Sequence, residues 1–285
     1  MRFPIRLSLA TVAFVLLLSP AYAAVITQWN FETQPISGAP PYNNSPTPST
    51  GVGTASSIGM DIYPTPQVGV TSDDILAGVA GDTGTNAVAD TSQIWRVRAQ
   101  AGPAGGAANG WSSLAPIGTQ GAVFAASTVG YTGINVSFDW YATNQGEAKL
   151  QLEYTTDGVT FKNVPINVGA DAPISALVNA VPGNTVVGAY VWGSPTGQGQ
   201  NWFPGLTATI DDPAAANNPK FAIEMVNAAT DGDNVSMKGT ALNNNSGNWR
   251  FDNIAISGTA VPEPCSIVLA GIALTWLSVC VARRR

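Results

Sequence analysis

Histidine does not occur in this 285-residue chain. That absence removes Ser-His-Asp and Cys-His catalysis, His-ligated zinc and most general acid–base designs. Cysteine is nearly as scarce, since the two present, Cys265 and Cys280, lie close to the C-terminus. Residues 24–260 therefore contain no disulfide, no thiolate nucleophile and no Cys-based zinc site. Charge is thin as well, at 11% of residues. The same stretch carries seven basic and seventeen acidic residues, a net charge of −10 with no Lys/Arg cluster. A surface of that sign repels phosphate backbones and disfavours nucleic-acid binding. The chain also lacks a G-x-S-x-G elbow, a P-loop and a G-x-G-x-x-G opening a helix. Glu147 and Glu153 share a strand face by parity, but an extended strand holds them about 20 Å apart, beyond either glycosidase geometry. A non-enzymatic protein is the expectation.

What is present is concentrated first at the two ends. Arg2 and Arg6 precede the apolar stretch Leu7–Leu18, Ser19-Pro20 breaks it, and Ala21-Tyr22-Ala23 follows. That order is a secretory signal peptide over residues 1–23, with small residues at −3 and −1 for signal peptidase and a mature start at Ala24. At the other end, Val261-Pro262-Glu263-Pro264 precedes the uncharged stretch 265–282 and then Arg283, Arg284 and Arg285. A stretch of that length lies at the short end of what spans a bilayer as a helix. The arginines orient it with the C-terminus cytoplasmic and the body outside. Pro262 and Pro264 keep the motif extended and accessible to a peptidase cleft. A plain permanent anchor is the alternative.

The motif, the short span containing Gly271 and the terminal arginines together resemble the PEP-CTERM sorting signal. Cys265 stands where that signal more often has Ser or Ala. The resemblance covers the chain from Val261 to Arg285 and does not extend into the body. It implies an exosortase as processing partner, transient residence in the inner membrane, and a final address at the cell surface or in the extracellular matrix of a Gram-negative bacterium that makes exopolysaccharide, biofilm or floc.

Residues 24–260 form one domain's worth of chain, with strand signals throughout. In Ile134–Ala142, Val136, Phe138 and Trp140 alternate with Ser137, Asp139 and Tyr141; Leu150, Leu152 and Tyr154 repeat the pattern, and Phe221, Ile223 and Met225 repeat it again. Asp157-Gly158 supplies the positive φ of a hairpin turn into Val159–Val164. Further strands are expected at Val25–Phe31, Ile94–Arg98, Ala122–Ala126, Val186–Trp192, Leu206–Ile210 and Trp249–Ser257. Residues 35–71, 99–110 and 194–201 read as loops, and Thr259-Ala260 as a very short linker. Ten short strands without intervening helices argue for an all-β, antiparallel β-sandwich.

Gln28-Trp29-Asn30-Phe31-Glu32 near the start, paired with Asn248-Trp249-Arg250-Phe251-Asp252-Asn253-Ile254 near the end, resembles jelly-roll sandwiches of the laminin-G, MAM and carbohydrate-binding kind. That resemblance implies neighbouring first and last strands, and a structural Ca²⁺ held by Asn30, Glu32 and Asp252. Parity makes Asp252 notable in its own right. Trp249 and Phe251 share one face while Ile254 and Ile256 share the other, so either a bulge intervenes or both faces are buried. A surface Asp252 pairing with Arg250 or Lys162 is the other reading. Asp231-Gly232-Asp233-Asn234 lacks the order of an EF-hand loop and reads as a solvated turn. Trp111, Trp192 and Trp202 sit in Gly-rich stretches, as sugar-stacking rings or as caps on the core. The expected role is structural or adhesive, with extracellular polysaccharide as a candidate partner. A carbohydrate-binding module and a glycoside hydrolase are the rivals.

Overall fold

The computed structural model describes residues 23–36, 41–62, 71–77, 92–98, 111–143, 145–167, 176–178, 187–190, 201–228, 236–237, 240–242 and 247–261. Among these the protein is all-β, with two antiparallel sheets and one turn of 3₁₀ helix at Pro213–Ala215. No described helix is long and apolar enough to cross a membrane. Residues 1–22 and 262–285 lie outside the described residues, and with them Ala21, Pro262–Pro264, the span 265–282 and Arg283–Arg285.

The first sheet runs β11 (Asn201–Ile210), β6 (Tyr131–Ala142), β13 (Trp249–Ala260), β4 (Gln93–Val97), β3 (Asp74–Ala77). The long strand β13 serves two partners on one edge. Its first residues, Trp249–Phe251, pair with β4, while Ile254–Thr259 pair with β1 (Ala23–Trp29). The first and last strands are thus neighbours. The second sheet runs β2 (Thr54–Ile58), β5 (Gly121–Ala125), β12 (Ala222–Asn227), β7 (Lys149–Thr155), β10 (Val187–Tyr190), β9 (Ala176–Val178), with β8 (Phe161–Val164) beside β7.

Alternation decides which side chains face inward. From the first sheet come Trp29, Trp95, Phe138, Trp140, Phe203, Trp249 and Phe251, and from the second Phe124, Leu150, Leu152, Ile223 and Met225, all in one buried cluster. Phe124 joins the sheets, its ring centroid 5.2 Å from Trp29, 5.7 Å from Trp95 and 5.9 Å from Phe251, each edge-on. Edge-to-face contact of this kind matches the ring quadrupoles. The arrangement is sandwich-like.

All ten expected strands are present. Three more, β2, β3 and β9, carry no comparable pattern in the sequence. Strand β2 lies inside residues 35–71, expected as a long loop. Its sequence, Thr-Ala-Ser-Ser-Ile, buries only Ala55, so it carries almost no hydrophobic signal, and its place comes from pairing with β5 at the sheet edge. Thr259 and Ala260, expected as a linker, are instead the last residues of β13. The Asp157-Gly158 turn forms as expected, with Gly158 at φ +81 and Asp157 Oδ1 accepting from the N–H groups of Val159 and Thr160.

The close approach of β1 to the chain before β2 leaves no room at Gly53. A Cβ there would lie 2.6 Å from the Ala125 carbonyl oxygen and 2.8 Å from two carbons of the Trp29 indole. Gly53→Ala is expected to cost about 1–3 kcal/mol by overpacking. A chemical-denaturation midpoint unchanged from wild type would show that this edge yields freely.

Candidate functional site

The two ends of the body meet. Ala23 lies opposite Thr259 and Ala24 opposite Gly258, so the expected signal-peptidase cut falls at the start of β1, beside the end of β13. Val261 follows directly, half-exposed, its N–H donating to the Gly130 carbonyl at 2.8 Å. No described strand uses a residue beyond Ala260.

The parity conflict in β13 is resolved by a bulge. Pairing with β6 shifts register between Asp252 and Ala255, and Asn253 takes φ +53. One extra residue flips the alternation, so Trp249, Phe251, Ile254 and Ile256 all reach the same core. A second irregularity lies across β6, where β11 shifts register between Phe203 and Leu206. Asp139 of β6 stands between the two. Its Oδ1 accepts the Gly205 N–H at 2.6 Å, and its Oδ2 accepts from Asn253 Nδ2 at 2.9 Å. Asn253 Nδ2 also reaches Asp252 Oδ2 at 3.2 Å, and the Asn253 N–H donates to Asp252 Oδ1 at 2.7 Å. An amide therefore bridges two buried carboxyls that lie directly opposite each other. Burial holds the Asp139 carboxyl above its usual range, opposed by these donors.

Asp252 is thus buried, not a surface residue. Lys162 pairs with Asp212 at 2.8 Å. Arg250 lies over the Tyr141 ring, 5.0 Å from its centroid, and donates to Asn248 Oδ1. Of the residues expected to hold calcium, Glu32 is exposed and accepts the Gln93 N–H at 3.1 Å, while Asn30 Oδ1 accepts the Glu32 N–H. Asn30 and Glu32 cap the end of β1 locally, whereas Asp252 is tied to Asp139 and Asn253. No group of three acidic side chains able to hold a metal occurs among the described residues.

Of the three tryptophans considered for sugar stacking, Trp111 is fully buried, its ring 4.2 Å from that of Trp249. It caps the core. Trp202 is placed in β11 opposite Tyr141, and Trp192 and residues 231–234 lie outside the described residues. Glu147 is also buried, its Oε1 accepting the Lys149 N–H.

Residue parity did not reveal the second acidic pair. Glu153 of β7 lies directly opposite Glu224 of β12, on the face away from the core, because Leu152, Tyr154, Ile223 and Met225 face inward. Both are half-buried. Burial and the Glu153 charge push the Glu224 carboxyl up to about 7, and burial raises Glu153 too. The two residues are remote in sequence, so only strand pairing could disclose them. The chain matches no protein-family model and no curated protein.

Proposed function

We propose that the chain is an exported, non-catalytic surface or matrix protein of a Gram-negative bacterium, sorted through its C-terminal Val261-Pro262-Glu263-Pro264 motif. The body is a jelly-roll-like β-sandwich, preceded by a signal peptide and followed by a membrane-spanning helix that an exosortase removes. Its role in exopolysaccharide or biofilm is structural or adhesive. The observation that carries this reading is the ending of the body. The last sheet hydrogen bonds are made by β13, and Val261 emerges half-exposed with a backbone tie to Gly130. Cleavage at the motif would therefore leave every described strand intact, and an extended Pro-flanked peptide suits a peptidase cleft. The pairing of β1 with β13 supports the same reading, since trimming at Ala24 removes only the end residue of that ladder.

The test is the intact mass of the protein recovered from its native host. The expected mass begins at Ala24 and ends between Val261 and Pro264, with any excess reporting a transferred group. A mass running through Arg285 overturns processing and leaves a plain anchor. Polysaccharide hydrolysis abolished by Glu224→Gln would overturn the non-catalytic reading, because paired carboxyls with one held near neutrality can serve as an acid–base couple.

A further inference from the structure

The two acidic pairs of this protein are dressed in opposite ways. Asp139 and Asp252 are bridged by a donor, the Asn253 amide, and Asp139 takes a further backbone N–H. Glu153 and Glu224 instead share their strand face with two amide side chains whose oxygens lack a partner. Gln151, two residues before Glu153 on the same face of β7, is 1% exposed and donates its amide nitrogen to Glu153 Oε1. Its own Oε1 is buried with no hydrogen-bond partner. Asn163 of β8 lies directly opposite Glu153, and its Oδ1 is likewise buried and unpartnered. The loop before β5 closes over this point, with Gly118 so placed that a Cβ would contact Glu153 Oε1 at 3.6 Å. Lys162, next to Asn163, turns to the other face and pairs with Asp212 and the Tyr154 ring.

Two carboxylates facing each other repel, and buried carbonyl oxygens without donors carry a desolvation cost. Four such groups on one face of three neighbouring strands have a common remedy, which is a hard cation. Calcium takes carboxylates and Asn/Gln carbonyls together, at about 2.3–2.6 Å, in flexible geometry. We infer that the outer face of the second sheet binds a calcium ion through Glu153, Glu224, Gln151 and Asn163. The site is separate from the Asn30–Glu32–Asp252 set, from which it differs in sheet and in chemistry. It ties β12, β7 and β8 together, so occupancy would make the body stiffer in a calcium-rich extracellular medium than in a chelated one. Magnesium fits less well, because it demands near-octahedral geometry and gives up water reluctantly.

The experiment titrates the full chain with calcium at pH 8 after chelation and follows the melting temperature. Terbium luminescence sensitised by the protein's own aromatic residues gives a direct count of binding. Wild type is expected to gain several degrees and to bind with a dissociation constant of about 10⁻⁴ M, as extracellular sites do. Glu224→Gln is expected to weaken binding at least tenfold and to remove the thermal response while remaining folded, since it relieves the repulsion. Asn163→Ala weakens binding by a smaller factor. Glu32→Gln leaves the response unchanged. A calcium response that survives Glu224→Gln, one that disappears with Glu32→Gln, or no response in wild type overturns the inference. In the last case the Gln151 and Asn163 amides suffice for the pair.

Discussion

Replacement of Trp95 by alanine is expected to lower the unfolding free energy by about 3–5 kcal/mol, as for other large aromatic side chains removed from a core. Trp95 is fully buried in β4, with Ile75 opposite it on one side and Phe251 on the other. Its ring lies 6.4 Å from Phe31, 6.3 Å from Phe251 and, across the core, 5.7 Å from Phe124 of the second sheet. The indole N–H donates to the Asn43 carbonyl at 3.1 Å, which fastens the segment between β1 and β2 against the sheet. Truncation therefore opens a cavity at the junction of both sheets and strands a carbonyl as well. Trp95→Phe keeps most of the packing and loses the hydrogen bond, a cost of about 1 kcal/mol for that bond. Against a total stability of about 5–15 kcal/mol the alanine variant approaches the threshold of folding. Guanidinium unfolding at constant m reads the difference. A loss below about 1 kcal/mol for Trp95→Ala, well under the usual range for such a truncation, would mean that the two sheets do not share a core at this point.

Strand identity was legible wherever large apolar residues alternated with polar ones, as in β6, β7 and β12, because such a pattern has only one way to bury its apolar face. It was not legible in β2, where Ala55 is the one buried residue and the neighbouring strand supplies the order. The bulge in β13 left a local mark: aromatic residues at 249 and 251 and isoleucines at 254 and 256 cannot face one core without an extra residue between them. That mark located Asp252 without revealing its company. Asp139 is far from Asp252 along the chain, as Glu153 is from Glu224, so both acidic pairs are products of register across strands. Trp111 shows the same limit from the other side. A tryptophan among glycines looks like a ring on display, and only the packing of Trp249 against it turns it into core. The terminal motifs, by contrast, are linear and depend on no register.

Stability is expected to fall as pH rises from about 5 to about 8. Asp73 is fully buried, and desolvation pushes its carboxyl up to about 6 despite donation from Ser57 Oγ and from the Arg98 N–H at 2.7 Å. Glu224 is held at about 7 by burial and by the facing Glu153. In the unfolded chain these groups lose their protons near pH 4. Between pH 4 and 7 the folded state therefore holds more protons than the unfolded state, and the linkage relation makes stability decrease with rising pH across that window. For Asp73, which solvent does not screen, the change is on the order of 3 kcal/mol. The carboxyls of Asp157 and Asp212 work in the opposite sense. Donors from Thr160, Val159 and Thr155 hold Asp157 well below the usual carboxylate range, and Lys162 with the Ala214 N–H lowers Asp212. Their contribution is present above pH 4 and is lost as pH falls below it. The two trends place the maximum at mildly acid pH. Denaturation midpoints measured in chelator across pH 4–8 check this, the chelator preventing a cation from holding Glu153 and Glu224 charged. Asp73→Asn can keep the Arg98 and Ser57 contacts, its oxygen accepting from Arg98 and its amide donating to Ser57. It is expected to be more stable than wild type at pH 8 and to flatten the profile, and Glu224→Gln is expected to flatten it independently, since neither carboxyl is among the groups that shift the other. A wild-type profile that rises from pH 5 to 8 would mean that these carboxyls are ionised in the folded protein, with donors or a bound cation offsetting their burial.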